Sequence, residues 1–209
     1  MNNIIFVEGI SGVGKTTTAT RLYNVLCNAG YNVDCYLEGA KDNPLDPFEG
    51  TFPPLMPQAE FLQTHMQRWC NFAKEQHKED SILLLDGTLF HHQINDLLRI
   101  YGAADAVIAN HLCNLVHVLQ PYNPVVFYLS GNNVGQYLAQ ARQSRVQSAP
   151  TQERIDFWHN RKRVDLYVLG RLSVQSHSIS VDDGWDTALE IILEHMGLPQ
   201  NSKSDTPPI

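Results

Sequence analysis

Positive charge is scarce in this chain. Its 209 residues hold 15 Lys and Arg against 22 Asp and Glu, a formal net charge of −7. Nucleic acids and anionic membrane surfaces are recognised by basic patches, so neither is an expected partner. Long apolar runs are missing as well. No stretch approaches the roughly 18 apolar residues of a membrane-spanning helix. Paired cysteines are absent too. Cys27, Cys35, Cys70 and Cys113 are widely spaced and form no C-x-x-C pair. That spacing argues against a structural zinc site and for reduced thiols serving as core filler. The first residues carry no basic segment and no cleavage-type motif, and a cytoplasmic location is the expectation. No internal repeat is visible.

What remains has the composition of a globular protein. Apolar residues make up 43% of the chain, and the length suits one domain with a full core. Strand-like and helix-like segments alternate. Apolar, β-branched runs lie at about 3–8, 32–38, 81–86, 125–129 and 176–181. Helical periodicity lies between them, at about 16–29, 58–78, 90–101, 104–120, 133–143, 154–172 and 185–196. This alternation predicts an α/β fold, a three-layer sandwich in which a five-stranded parallel sheet carries helices on both faces. The domain is expected to span 1–198. The segment 199–209, with Ser, Lys, Asp and prolines, is expected to be a disordered tail. The Pro- and Gly-bearing loop 39–57 is too long for a plain connector, and loops of that kind usually serve function.

Residues Gly9-Ile10-Ser11-Gly12-Val13-Gly14-Lys15-Thr16 spell G-x-x-x-x-G-K-[ST]. The mechanism of this phosphate-binding P-loop (Walker A) requires a strand before it and a helix after it, and the pattern supplies both. Gly9, Ser11, Gly12, Val13, Gly14, Lys15, Thr16 and Thr17 are expected to wrap a nucleotide's phosphates with backbone N–H groups and the helix N-terminus. Lys15 would reach the β- and γ-phosphates, and the Thr16 hydroxyl would hold Mg²⁺. ATP and Mg²⁺ are thus the expected cofactors. With no ligand bound, Lys15 is expected to face solvent.

The strand and loop together read Phe6-Val7-Glu8-Gly9-x-x-Gly12-x-Gly14-Lys15-Thr16. In this the chain resembles the thymidylate kinase and deoxynucleoside kinase group of P-loop kinases, whose first strand ends in Glu-Gly before the loop. The resemblance implies three further site elements. Asp86, at the end of the third strand, would hold Mg²⁺ or accept a proton; an Asp before Gly is also an ordinary strand-ending turn. Glu38, at the end of the second strand, would be the base acting on an acceptor hydroxyl, with Asp42 a nearby alternative and a solvated loop carboxylate the plain reading. Arg142 and Arg145, in a lid region at about 142–153, would close over the phosphates, where guanidinium groups stabilise developing charge. Their i, i+3 spacing puts them on one face, and they are favoured over Arg161 and Arg163.

The chain departs from the thymidylate kinase pattern at two arginines, replaced by Leu37 and Gly87. Both departures point to a neutral acceptor hydroxyl rather than a phosphorylated one. Phe61, His65, Trp69 and Phe72 fall on one helical face and read mainly as core. The adjacent His91 and His92 read as surface residues. Asp182 or Asp183 is expected to cap the last helix.

A kinase acting on a nucleoside-like or other neutral small molecule is thus the leading expectation. Alternatives are an antibiotic-modifying phosphotransferase, a nucleoside monophosphate kinase, and a ParA-like switch ATPase. The last is suggested by Gly12-Val13-Gly14-Lys15-Thr16-Thr17-Thr18-Ala19. Against it, Ile10 stands where that group has a second Lys. A GTPase is disfavoured because no N-K-x-D follows the fourth strand. The expected partners are a nucleotide and a small-molecule acceptor, with a homodimer left open.

Overall fold

A computed structural model of the chain describes residues 4–40, 43, 45, 56–76 and 81–198. Five strands form one sheet: β1 (Ile4–Gly9), β2 (Asn32–Tyr36), β3 (Ser81–Asp86), β4 (Pro124–Ser130) and β5 (Gln175–Ser180). Their order across the sheet is β2-β3-β1-β4-β5, and every neighbouring pair is parallel. The helices are α1 (Lys15–Asn28), α2 (Gln58–Gln76), α3 (His91–Arg99), α4 (Asp105–Leu119), α5 (Val134–Ser144), α6 (Gln152–Leu169) and α7 (Trp185–His195). The expected three-layer α/β fold is the one observed.

Alternation along the strands sorts the core into two halves. Ile4, Phe6, Leu83, Leu85, Val126 and Tyr128 point to one face, where Phe61, Trp69 and Phe72 of α2 pack with Leu97 and Leu112. Ile5, Val7, Ile82, Leu84, Val125 and Phe127 point to the other, against Leu22 and Leu26 of α1 and Leu189 and Ile192 of α7. Each fully buried side chain of this size contributes about 1.5–3 kcal/mol, so the two layers carry most of the driving force. The apolar face of α2, with Phe61, His65, Trp69 and Phe72 all buried, is the core face its periodicity predicts.

Chain direction explains where a ligand would sit. After β1 the chain crosses to β2 and returns through β3; it then moves to the opposite side of β1 for β4 and β5. The crevice at the carboxyl ends of the strands, where such a reversal occurs, is the general ligand site of open parallel sheets. The P-loop and Glu38 follow strand ends on that edge, and Asp86 is the last residue of β3 there.

Several expectations are corrected. β2 ends at Tyr36, so Glu38 lies just beyond the strand rather than closing it. The four cysteines are half-buried rather than core filler. The N-cap of α7 is Gly184, with no side-chain cap. Asp182 instead accepts hydrogen bonds from the Asn132 backbone N–H at 3.0 Å and the Tyr137 hydroxyl at 2.7 Å. Within the segment 142–153 expected to form a lid, α5 runs to Ser144, residues 145–151 form an irregular link, and α6 starts at Gln152. Most of the 39–57 loop, Asp42 and the 199–209 tail lie outside the described residues.

Candidate active site

The loop after β1 folds as its motif requires. Gly14 adopts φ 96° at the N-cap of α1, a left-handed conformation that residues with a Cβ adopt only at a cost. A Cβ there would also stand 2.4 Å from the Trp185 indole nitrogen. That indole donates to the Val13 carbonyl at 3.0 Å, so the first residue of α7 clamps the loop. Ser11, Gly12, Gly14, Lys15, Thr16, Thr17 and Trp185 line an open cleft of about 370 Å³, with Glu38, Gln140, Ala141, Ser144 and Arg145 around it. Gly9 and Val13 support the loop from behind; Val13 is buried.

The reactive side chains converge at this cleft. The Thr16 hydroxyl donates to Asp86 Oδ2 at 2.6 Å. Lys15 Nζ lies 3.3 Å from Glu38 Oε2. The Glu38 backbone N–H donates to Asp86 Oδ2 at 3.4 Å. Lys15 is therefore buried, with 6% of its surface exposed, and not solvent-facing as expected. Glu38 is its counter-charge.

Burial raises the Asp86 carboxyl above the usual carboxylate range, and Lys15 and the Thr16 hydroxyl oppose the rise. Its second oxygen, Oδ1, is buried without a hydrogen-bond partner. A carboxylate oxygen in that state, beside a hydroxyl exposed to the cleft, suits a hard divalent cation that takes its remaining ligands from phosphates and water. Thr16 and Asp86 thus fit the Mg²⁺ role.

Sequence reasoning did not assign two contributors. His91 Nε2 lies 3.2 Å from Glu38 Oε1, so this half-buried residue holds the Glu38 carboxylate instead of facing solvent. Burial, reinforced by Lys15 and Arg161, keeps the imidazole well below its ordinary range and hence neutral. A neutral ring that donates Nε2–H to Glu38 fixes the carboxylate's orientation. Its backbone carbonyl in turn accepts from Arg161 Nη1 at 3.2 Å. Arg161 is fully buried and paired with Asp165 at 2.6 Å, and Asp165 also accepts from the Tyr128 hydroxyl at 3.0 Å. This network anchors α6 to β4 and to the start of α3. The only sequence signal for His91 was its place one turn beyond Asp86.

The other contributor is Glu8, part of the Glu-Gly pattern but given no role of its own. It is fully buried, and Oε1 accepts from the Leu89 backbone N–H at 2.7 Å, tying β1 to the β3–α3 loop. Burial lifts its carboxyl to about 8, with Lys15 and the Leu89 N–H working against the rise.

Gly87 explains one departure from the thymidylate kinase pattern. It has φ 64°, and a Cβ would stand 2.6 Å from Glu38 Oε2 and 2.9 Å from the Lys15 side chain. A side chain at this position would push the Glu38 carboxylate or the Lys15 chain aside.

The two lid arginines separate. Arg145, the C-cap of α5, lines the P-loop cleft. Arg142 turns to a neighbouring cleft and donates to the Ser148 carbonyl and hydroxyl. Their shared face ends where the helix does. Arg163 is exposed and pairs with Asp105.

No family model matches the chain, and no curated protein matches it by sequence. Solved structures do match it. A thymidylate kinase from Ehrlichia chaffeensis gives a TM-score of 0.58 at 13% identity, over 94% of this chain and 99% of that one. A deoxyadenosine kinase from M. mycoides, solved with bound dATP, gives 0.51 at 14% identity, over 93% and 99%. The resemblance first seen in a few residues around the P-loop therefore extends to the fold of nearly the whole chain.

Proposed function

We propose that this protein is a Mg²⁺- and ATP-dependent kinase that transfers the γ-phosphoryl group to a hydroxyl of a nucleoside-like or other small molecule. One observation carries the reading: Lys15, Thr16 and Glu38 line a single cleft at the carboxyl edge of the sheet, and buried Asp86 is hydrogen-bonded to Thr16 beneath it. The P-loop N–H groups and the α1 N-terminus bind the phosphates. Lys15 leaves Glu38 for the β- and γ-phosphates as nucleotide enters. Thr16 and Asp86 hold Mg²⁺, which neutralises charge on the transferred group when bound.

Once Lys15 is drawn away, Glu38 is a carboxylate held by neutral His91 and free to accept the acceptor's proton. Arg145 lies on the rim of the same cleft, where a guanidinium can stabilise charge on the transferring phosphoryl group. With Leu37 and Gly87 where the thymidylate kinase pattern has arginines, the reacting end of the acceptor is an unphosphorylated hydroxyl.

The test is a library of nucleosides, hydroxylated antibiotics and other small alcohols, incubated with ATP and Mg²⁺ and read by mass spectrometry for phosphorylated products. A product that Glu38→Gln suppresses supports the reading. Robust phosphorylation of nucleoside monophosphates at their phosphate, with no hydroxyl acceptor used, contradicts it.

A further inference from the structure

A second cleft, of about 360 Å³, adjoins the candidate active site across the end of α5, and Arg99, Arg142 and Arg154 all line it. The three come from separate elements: the last residue of α3, the last turn of α5 and the first turn of α6. Among the described residues none of them forms an ion pair. Arg142 spends its hydrogen bonds on Ser148, and Arg99 lies over the Phe157 ring at 5.2 Å. Glu153 is the cleft's one lining carboxylate. The α6 N-terminus opens onto the same space through its N-cap, Thr151, and adds its partial positive charge.

Against these three like charges stand Glu153 in the lining and Asp96 near Arg99, so the cleft keeps an excess of positive charge that favours an anion. Arg154 registers this: burial, then Arg142 and Arg99, lower its pKa. This gathering occurs in a chain whose net charge is −7, so the concentration of arginine is local.

The cleft is linked to the reacting groups. Trp158 lines it, the His91 ring packs on Trp158 at 5.8 Å, and His91 holds Glu38. One indole and one imidazole separate the arginines from the base.

We propose that the Arg99–Arg142–Arg154 cleft binds an oxyanion, a phosphate monoester or a carboxylate, carried by the acceptor away from its reacting hydroxyl. This rests on the kinase reading and deepens it. The oxygen that attacks stays a neutral hydroxyl, and the acceptor's charge is elsewhere in the molecule. The acceptor so proposed differs from the wholly neutral one expected from Leu37 and Gly87.

Thermal unfolding tests the site without knowledge of the substrate. The P-loop is first saturated with AMP-PNP and Mg²⁺. Inorganic phosphate and, separately, acetate are then titrated against chloride at matched ionic strength. Wild type is expected to be stabilised by phosphate, acetate or both, and which anion acts distinguishes the two sources. Combined Arg99→Gln and Arg154→Gln substitutions should weaken that response about tenfold or more, the scale of a lost charge-assisted contact. Arg171→Gln, a cation stacked on Tyr167 outside both clefts, should leave it intact.

Equal responses in wild type and the double variant, or no response beyond chloride in wild type, would overturn the proposal. Failure of the kinase reading appears separately, as absence of stabilisation by AMP-PNP and Mg²⁺. With acceptors in hand, the double variant should raise KM for acidic hydroxyl compounds and leave kcat within a few-fold. Equal kcat/KM in wild type for matched neutral and acidic acceptors also overturns it.

Discussion

Replacing Gly87 by Ala adds a single methyl group, and the structure separates its two consequences. Gly87 has φ 64°, and placing a residue with a Cβ there costs about 1–2 kcal/mol. For a chain of this size that corresponds to a fall in Tm of roughly 2–8 °C. The second consequence is local. The new methyl would lie 2.6 Å from Glu38 Oε2 and 2.9 Å from Lys15 Cε, so at least one of these groups has to move. Misplacement of a reacting group by about 1 Å costs on the order of a hundredfold in rate. Gly102→Ala is the control. It has φ 57° and nothing within 4 Å of an added Cβ, so it carries the backbone cost alone. Both variants should lose similar stability by calorimetry. Only Gly87→Ala should lose turnover, by about a hundredfold. If the Gly87 variant keeps turnover within a few-fold of the Gly102 variant, the placement of Glu38 between Gly87 and His91 is not what turnover depends on.

Asp86→Asn should cripple turnover far more than nucleotide binding, because the amide keeps the Thr16 contact but loses the charge that Mg²⁺ needs; titration calorimetry beside steady-state rates reads the split. Lys15→Met should abolish transfer and also cost about 1–3 kcal/mol in urea unfolding, since Lys15 is buried against Glu38 rather than free in solvent. Glu8 binds its proton more tightly folded, at about 8, than at its ordinary value of 4.5. Stability from this group is therefore complete below 4.5 and lost as pH rises through about 8. Asp86 acts in the same direction. Denaturation curves of wild type should fall across this window, and Glu8→Gln should flatten the slope; an unchanged slope contradicts the assignment. His91→Leu should lower kcat by about tenfold or more, the equivalent of ~1.4 kcal/mol, with His91→Gln recovering part of it through a retained donor.

The P-loop and the sheet were legible because their signals are local. A contiguous motif, a β-branched run before it and alternating element types need no knowledge of tertiary contacts. Asp86 and Glu38 were legible as residues at or just beyond strand ends, since parallel strands bring such positions to one edge. What stayed hidden depends on distant elements. The partnership of His91 with Glu38 requires the β3–α3 loop to turn the imidazole back over the β2 end, with Arg161 of α6 bonded to its carbonyl. Nothing in adjacent histidines announces that. The Arg99 cleft joins α3 to the consecutive helices α5 and α6, and Trp185 reaches the P-loop from the other end of the chain. The burial of Lys15 was misjudged because the motif specifies what the lysine does with phosphate, and not its pairing with Glu38.

The central claim is that the cleft transfers phosphate to a hydroxyl instead of only hydrolysing nucleotide, as a switch ATPase would. The most direct measurement follows label from [γ-³²P]ATP in the presence of Mg²⁺ and the hydroxyl-compound library, in wild type and Glu38→Gln. Label is expected in an organic product of wild type and is expected to be lost in the variant, with nucleotide binding retained. Label recovered only as inorganic phosphate, at the same rate in both proteins, would contradict it.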